Sequence, residues 1–191
     1  MKKILFVILG IFIISAGVVF ALNNANQSAD LVANKKILIT YYSHSGNTKA
    51  IAEKLHAQVG GDMFEIKTVK KYPSDYTNMT QVAKKEQETN RLPEIVKFPG
   101  QIEQYDIIFV GTPVWWGKMS NPVKSFLSDK DLKNKTVIPF ITHGGGGKYN
   151  IAEDISKLTG SKVMSPLVLH EDGGANATKA IAKWLKEIKY N

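Results

Sequence analysis

Within six residues, Ser43-His44-Ser45-Gly46-Asn47-Thr48 gathers three hydroxyls, an amide and a glycine. The apolar run Lys36–Tyr42 precedes this segment, and a stretch of helical periodicity follows it. A strand that ends in such a loop and then opens a helix is suited to hold a phosphate. The first N–H groups of a helix have no partner within it, and the helix dipole favours an anion at that end. Ser43, Ser45, Asn47 and Thr48 can add side-chain donors, and Gly46 lets the backbone close around the ligand. Neither the Walker spacing of Gly and Lys nor G-x-G-x-x-G is present, which argues against a nucleoside triphosphate or a dinucleotide.

Two further segments carry chemistry. Thr112-Pro113-Val114-Trp115-Trp116-Gly117-Lys118-Met119-Ser120-Asn121-Pro122 puts adjacent indoles into a connection. So much aromatic surface calls for a cover. A flat aromatic ligand stacking on one Trp, with the other packed down as a floor, would supply it; the alternative is that both cap the sheet edge. Thr142-His143-Gly144-Gly145-Gly146-Gly147-Lys148-Tyr149 strips the backbone of side chains over four residues. That allows close approach to a planar ligand and presents free N–H groups. A flexible linker is the poorer explanation for it inside a compact α/β domain.

The elements that must position these loops alternate along the chain. Strands are expected over Lys36–Tyr42, Asp62–Val69, Tyr105–Gly111, Lys135–Thr142 and Lys162–Leu169. The unbroken Ile107-Ile108-Phe109-Val110 fits a central parallel strand covered on both faces. Pro166 suggests that the fifth strand lies at an edge. Helices are expected around Ile51–Val59, over Thr77–Arg91 and Pro122–Leu127, around Ile151–Leu158 and around Ile181–Ile188. Five strands alternating with five helices make a parallel sheet wound on both sides, with the site at the carboxyl ends of its strands.

Residues 1–22 stand apart from this pattern. Lys2 and Lys3 precede an apolar run from Ile4 to Leu22, and a polar stretch follows. This is the pattern of an export segment, either a signal peptide cleaved after Val19-Phe20-Ala21 or a retained membrane anchor. Both outcomes place the domain, residues 36–191, on the extracytoplasmic side, behind a linker at 23–35. With no Cys, a lipid anchor on cysteine, disulfides, thiolate catalysis and Cys-ligated metal are excluded. The formal net charge of +8 suits anionic lipid, cell-wall polymer or an acidic protein, although the lysines are scattered and also serve solubility. No nucleic-acid partner is expected.

A phosphate at one loop and a flat ring between two others is the outline of FMN. The residues also resemble the flavodoxin family over about residues 36–190. Its phosphate loop S/T-x-S/T-G-x-T matches Ser43–Thr48, and T-P-x-W-W-G-x-M at Thr112–Met119 is similar to a subgroup of its short-chain members. The resemblance implies a three-layer α/β/α sandwich with a five-stranded parallel sheet in the order 2-1-3-4-5. It implies FMN as cofactor, with Ser43, His44, Ser45, Gly46, Asn47 and Thr48 at the phosphate. Thr112, Pro113, Val114, Trp115, Trp116 and Gly117 would line the ring, and Thr142, His143 and Gly144 to Gly147 would approach it from the far side. The Trp116–Gly117 peptide would lie near flavin N5, where the glycine tolerates a flip.

The chain departs from the acidic electron carriers of that family. His44, Lys118, His143 and Lys148 sit on the three loops, and no carboxylate is among them. A less strongly reducing flavin is the expectation. His143 either donates to reduced flavin or a bound quinone, or is a solvent-exposed loop residue. His170-Glu171-Asp172 lacks a second His at helical spacing, so no metal is expected. An electron carrier serving a redox protein or a small quinone-like acceptor is the leading function. A nicotinamide-dependent quinone, nitro- or azo-compound reductase is the alternative, and a binding module without flavin is the third.

Overall fold

Strand β1 (Ile37–Tyr41) runs through the middle of a parallel sheet, and the computed structural model describes residues 35–190 around it. The export segment and nearly all of the linker lie outside the described residues. Helix α1 (Asn47–Val59) follows β1 and ends at Gly60, whose N–H donates to His56 O. Then come β2 (Asp62–Glu65), helix α2 (Tyr76–Glu88), β3 (Ile107–Trp115), the short β4 (Lys118–Met119) and α3 (Asn121–Ser128). After these, β5 (Thr136–His143), α4 (Ile151–Thr159), β6 (Lys162–Val163), β7 (Leu167–His170) and α5 (Ala177–Ile188) complete the unit. The sheet order is β2-β1-β3-β5-β6, with β7 also paired to β5. With β6 and β7 taken as one interrupted edge strand, this is the expected doubly wound order.

Alternation along the central strands builds two cores. Leu38, Ile108, Val110, Val137 and Ile141 face α2, α3 and α4. Ile39, Ile107, Phe109, Ile138 and Phe140 face α1 and α5, where Ile51, Leu55, Ile181 and Trp184 cover them. This is the three-layer arrangement, and it calls for apolar residues on both faces of β3, as Ile107 to Val110 supply. Gly111 is the one small residue there. A Cβ on it would collide with the Phe140 ring and lie 2.7 Å from Tyr41 Cβ, so the strands close only around hydrogen.

Three elements differ from expectation. The fifth strand is split: β5 advances three residues from Val137 to Phe140 while its partner advances four, from Val163 to Leu167. Met164 N donates to Val137 O, so Pro139, two residues on, faces the same side without a donor, opposite the break that holds Pro166. The second strand leaves the sheet early, and Lys67–Val69 pairs instead with Glu94–Val96 through bonds such as Val96 N to Lys67 O at 2.8 Å. The third strand does not end at Gly111. It continues through Thr112 to Trp115, turns at Trp116-Gly117 and returns as β4.

Candidate functional site

Gly46 stands at the N-cap of α1 with φ 95°, a left-handed geometry that glycine adopts without strain. No side chain caps this helix, and its first turn carries no acidic residue. Its leading N–H groups and dipole are therefore uncompensated. Behind them the Ser43 hydroxyl is buried with no hydrogen-bond partner; Thr40, further back in β1, is the other such hydroxyl among the described residues. An orphaned buried hydroxyl is costly unless a ligand supplies its partner. A phosphate, with its surplus of acceptors, fits this cradle. Thr48 differs from its neighbours. It is buried, and its hydroxyl meets that of Thr142 at 2.8 Å, joining the phosphate-type loop to the end of β5.

The tryptophan segment is a two-residue hairpin. Trp115 pairs with Lys118 across the ladder, and Trp116 (φ 50°) and Gly117 (φ 76°) form its turn. Positive φ at both positions is the type I′ geometry. Flipping the central peptide would give a type II′ turn, whose demand for glycine falls on the first position, occupied here by Trp116. Thr112, one of the expected ring-lining residues, is fully buried. Its hydroxyl accepts from Ser120 N at 2.9 Å and donates to Pro113 O, closing the hairpin's base.

The two indoles part company. Trp115 is 7% exposed, wedged edge-on against Tyr42 and Tyr72 at 5.4 and 5.0 Å between centroids. Trp116 is 54% exposed; its Nε1 donates to Thr80 O at 2.8 Å, and Lys84 Nζ lies 5.1 Å from its ring. One ring is a floor and the other a wall, held upright by α2.

On the opposite side, Tyr149 (φ 48°) packs against the hairpin turn. A Cβ on Gly117 would lie 3.3 Å from its ring, and one on Gly146 would collide with its hydroxyl. His143 Nδ1 accepts from Gly145 N at 3.1 Å, and the His143 and His170 rings meet edge-on at 5.6 Å.

A cleft of about 490 Å³ opens among these parts. From the three loops it is lined by His44, Ser45 and Asn47, by Pro113 to Trp116, and by Thr142, His143 and Gly144. Ser43, Gly46, Thr48, Thr112, Gly117 and Gly145 to Gly147 support the walls without lining this cleft. Four lining residues come from α2: Tyr76, Met79, Thr80 and Ala83. The signal for them is the Met79/Ala83 pair at i, i+4 in a helix that, apart from Tyr76 and Val82, is otherwise polar. Glu171 also lines the cleft, placed by the hydrogen bond from its N–H to His143 O at 2.9 Å. The three loops hold no carboxylate, and the loop after β7 brings this one. Tyr76, at the start of α2, stands at the cleft, while Tyr72 lies behind Trp115 with its hydroxyl on Glu86 at 2.5 Å. Burial, reinforced by that hydrogen bond, holds the Tyr72 phenol far above its ordinary range. Among the described residues no group of three His, Cys, Asp or Glu side chains is placed to hold a metal ion, and no helix is long and apolar enough to cross a membrane.

A sequence model of the flavodoxin family matches residues 36–188. Among solved structures, a protein of Bacteroides eggerthii taken to be a flavoprotein is 33% identical, with 83% of this chain and 100% of that one covered and a TM-score of 0.73. A flavoprotein of Lactobacillus acidophilus, solved in complex with FMN, is 28% identical, with 78% of this chain and 98% of that one covered and a TM-score of 0.64. Flavodoxin 2 of Bacillus cereus, at 17% identity and a TM-score of 0.51 over 81% of this chain and 97% of its own, shares the fold.

Proposed function

The chain belongs to the flavodoxin family, and from that premise we propose that its folded domain binds FMN and carries electrons. The observation that carries this is the uncapped, acid-free N-terminus of α1 with the partnerless Ser43 hydroxyl behind it, one wall away from a cleft with an exposed indole. The complex of the Lactobacillus acidophilus relative with FMN supports the same ligand. FMN, when bound, supplies one- and two-electron transfer.

The chain's own residues bind and orient. Ser43, Ser45, Asn47 and the first N–H groups of α1 hold the phosphate. The Thr48–Thr142 contact fixes that loop against β5. Trp116 offers a ring face, Trp115 sets the depth of the cleft, and Gly144 lets backbone approach without a side chain. No side chain needs to act as acid, base or nucleophile for an electron carrier. The partner is a redox protein or a small quinone-like acceptor, and no nucleic acid is involved. The export pattern of residues 1–22 supports a domain outside the cytoplasmic membrane, secreted or tethered. N-terminal sequencing of the exported protein would separate cleavage after Ala21 from retention.

One observation favours the reductase reading. His143 lines the cleft with Nδ1 already accepting from Gly145, so the neutral ring carries its proton on Nε2 and can donate to a quinone or nitro oxygen. Steady-state nicotinamide oxidation with a quinone acceptor separates the two functions. Turnover at many equivalents per protein, lost in His143→Ala, supports the reductase. Transfer only to and from protein donors supports the carrier.

A further inference from the structure

A second cavity of about 400 Å³ lies beside the return strand of the hairpin, between the end of α2, the start of α3 and α4. Arg91, Lys118, Lys124 and Lys157 surround it, and Met119 and Leu158 give it an apolar floor. Among the described residues, five lysines elsewhere are in ion pairs, yet none of these four cations is. Lys124 is the telling one because it is half-buried. Lys130 is also half-buried but has Asp129 at 3.0 Å, whereas Lys124 has no such carboxylate. An anion entering the cavity would give these four cations the counter-charge that no carboxylate among the described residues supplies within ion-pair distance.

Two carboxylates also line the cavity, and both have other work. Glu86 Oε2 accepts from the Tyr72 hydroxyl and from Asn121 Nδ2 at 3.1 Å. Asp154 sits in the first turn of α4, where it complements the helix dipole. The cavity therefore keeps an excess of positive charge above an apolar base, in a volume suited to a small molecule.

We propose that this cavity is a second ligand site, for a small organic anion with an apolar body and a phosphate or carboxylate head. It is separate from the cleft assigned to FMN but adjoins it structurally. Lys118 is the ladder partner of Trp115, and Gln87, also on the cavity wall, donates to Trp115 O at 2.9 Å. An occupant would thus bear on the residue that forms the floor of the first cleft.

Amide NMR of the full chain with FMN added, titrated with phenyl phosphate and separately with inorganic phosphate, tests this. Saturable shifts are expected at Met119, Lys124 and Leu158 with phenyl phosphate, with inorganic phosphate at least about tenfold weaker. Lys124→Met should weaken phenyl phosphate about tenfold or more, and Lys157→Met should do the same if the first variant folds poorly. Lys183→Met, far along α5, should leave it unchanged. Shifts that fail to saturate, spread over all surface lysines, persist unchanged in both cavity variants, or are equalled by inorganic phosphate would overturn the proposal. Failure of the FMN assignment has a different signature, because a vacant phosphate loop would respond at Ser45–Thr48 instead.

Discussion

Thr48 Oγ1 and Thr142 Oγ1 meet at 2.8 Å, a buried contact across 94 residues that pins the first turn of α1 to the end of β5. It ties the phosphate-type loop to the strand that leads into the glycine loop. Replacing one partner leaves the other hydroxyl buried and unsatisfied. Thr142→Val should therefore cost about 1–3 kcal/mol of stability. It should also weaken FMN binding, although Thr142 lies at the opposite loop from the phosphate. Denaturant unfolding and an FMN titration of the same variant check both effects.

Gly111 and Gly144 should behave oppositely. Gly111→Ala forces a Cβ into the Phe140 ring and should destabilise by about 1–3 kcal/mol or more. Gly144 has open space around it and no left-handed backbone, so Gly144→Ala should shift the urea midpoint by no more than about 0.5 kcal/mol equivalent. Its effect should appear in FMN affinity, where a methyl group intrudes on the cleft.

At Trp116 stability and binding separate. The residue is left-handed at φ 50°, a geometry that costs a bulky side chain about 1–2 kcal/mol and suits asparagine better. Trp116→Asn relieves that strain and loses the indole bond to Thr80 O. Thermal stability should change by less than about 1 kcal/mol, while FMN affinity should fall about tenfold through lost stacking. A large loss of stability with affinity intact would contradict the role given to this ring.

Tyr41 is pushed up to about 12 by burial, then by the charges of Glu65 and Glu53. Tyr105 is pushed up to about 12 by burial and by its hydrogen bond to Asp62. Both folded values lie above the unfolded one, so the proton is held more tightly in the native state. Their contribution is complete below about pH 10 and is lost as pH rises towards 12. Urea midpoints should fall across that window, and Tyr105→Phe should make the fall shallower.

The charge around the cleft sets the direction of the redox prediction. Lys84, over the Trp116 ring, and Glu171, on the cleft wall, are its nearest opposite charges. Removing positive charge disfavours added electrons, so Lys84→Gln should lower the potential of bound flavin by tens of millivolts, on the order of 1 kcal/mol or less. Glu171→Gln should raise it. Spectroelectrochemical titration of the two variants reads both signs.

Much of this architecture is legible in the chain. Ile107–Val110 fits a strand covered on both faces, as the structure has it, and Ser43–Thr48 falls between a strand and a helix, as the spacing predicts. What escapes does so for physical reasons. Thr112–Trp115 contains a proline and Gly117 follows it closely, so local chemistry points to a loop, yet pairing with β5 carries the strand through Pro113 and pairing with β4 carries it to Trp115. The break between β6 and β7 falls where β5 carries Pro139 and the edge strand carries Pro166, a relation across strands that no local pattern encodes. The α2 wall is mostly polar in composition, and of its apolar residues only Met79 and Ala83 are buried. Glu171 reaches the cleft through a backbone bond to His143, which spacing along the chain does not reveal.

The central claim is that three loops at one edge of the sheet form a seat for FMN. Titrating the flavin-free protein with FMN, followed by flavin absorbance and fluorescence, tests it most directly. The account predicts saturation at one FMN per chain, with Ser43→Ala weakening it and Lys183→Met leaving it unchanged. A folded protein that takes up no FMN at large excess, or binds it equally well without the Ser43 hydroxyl and the Trp116 ring, would contradict the account.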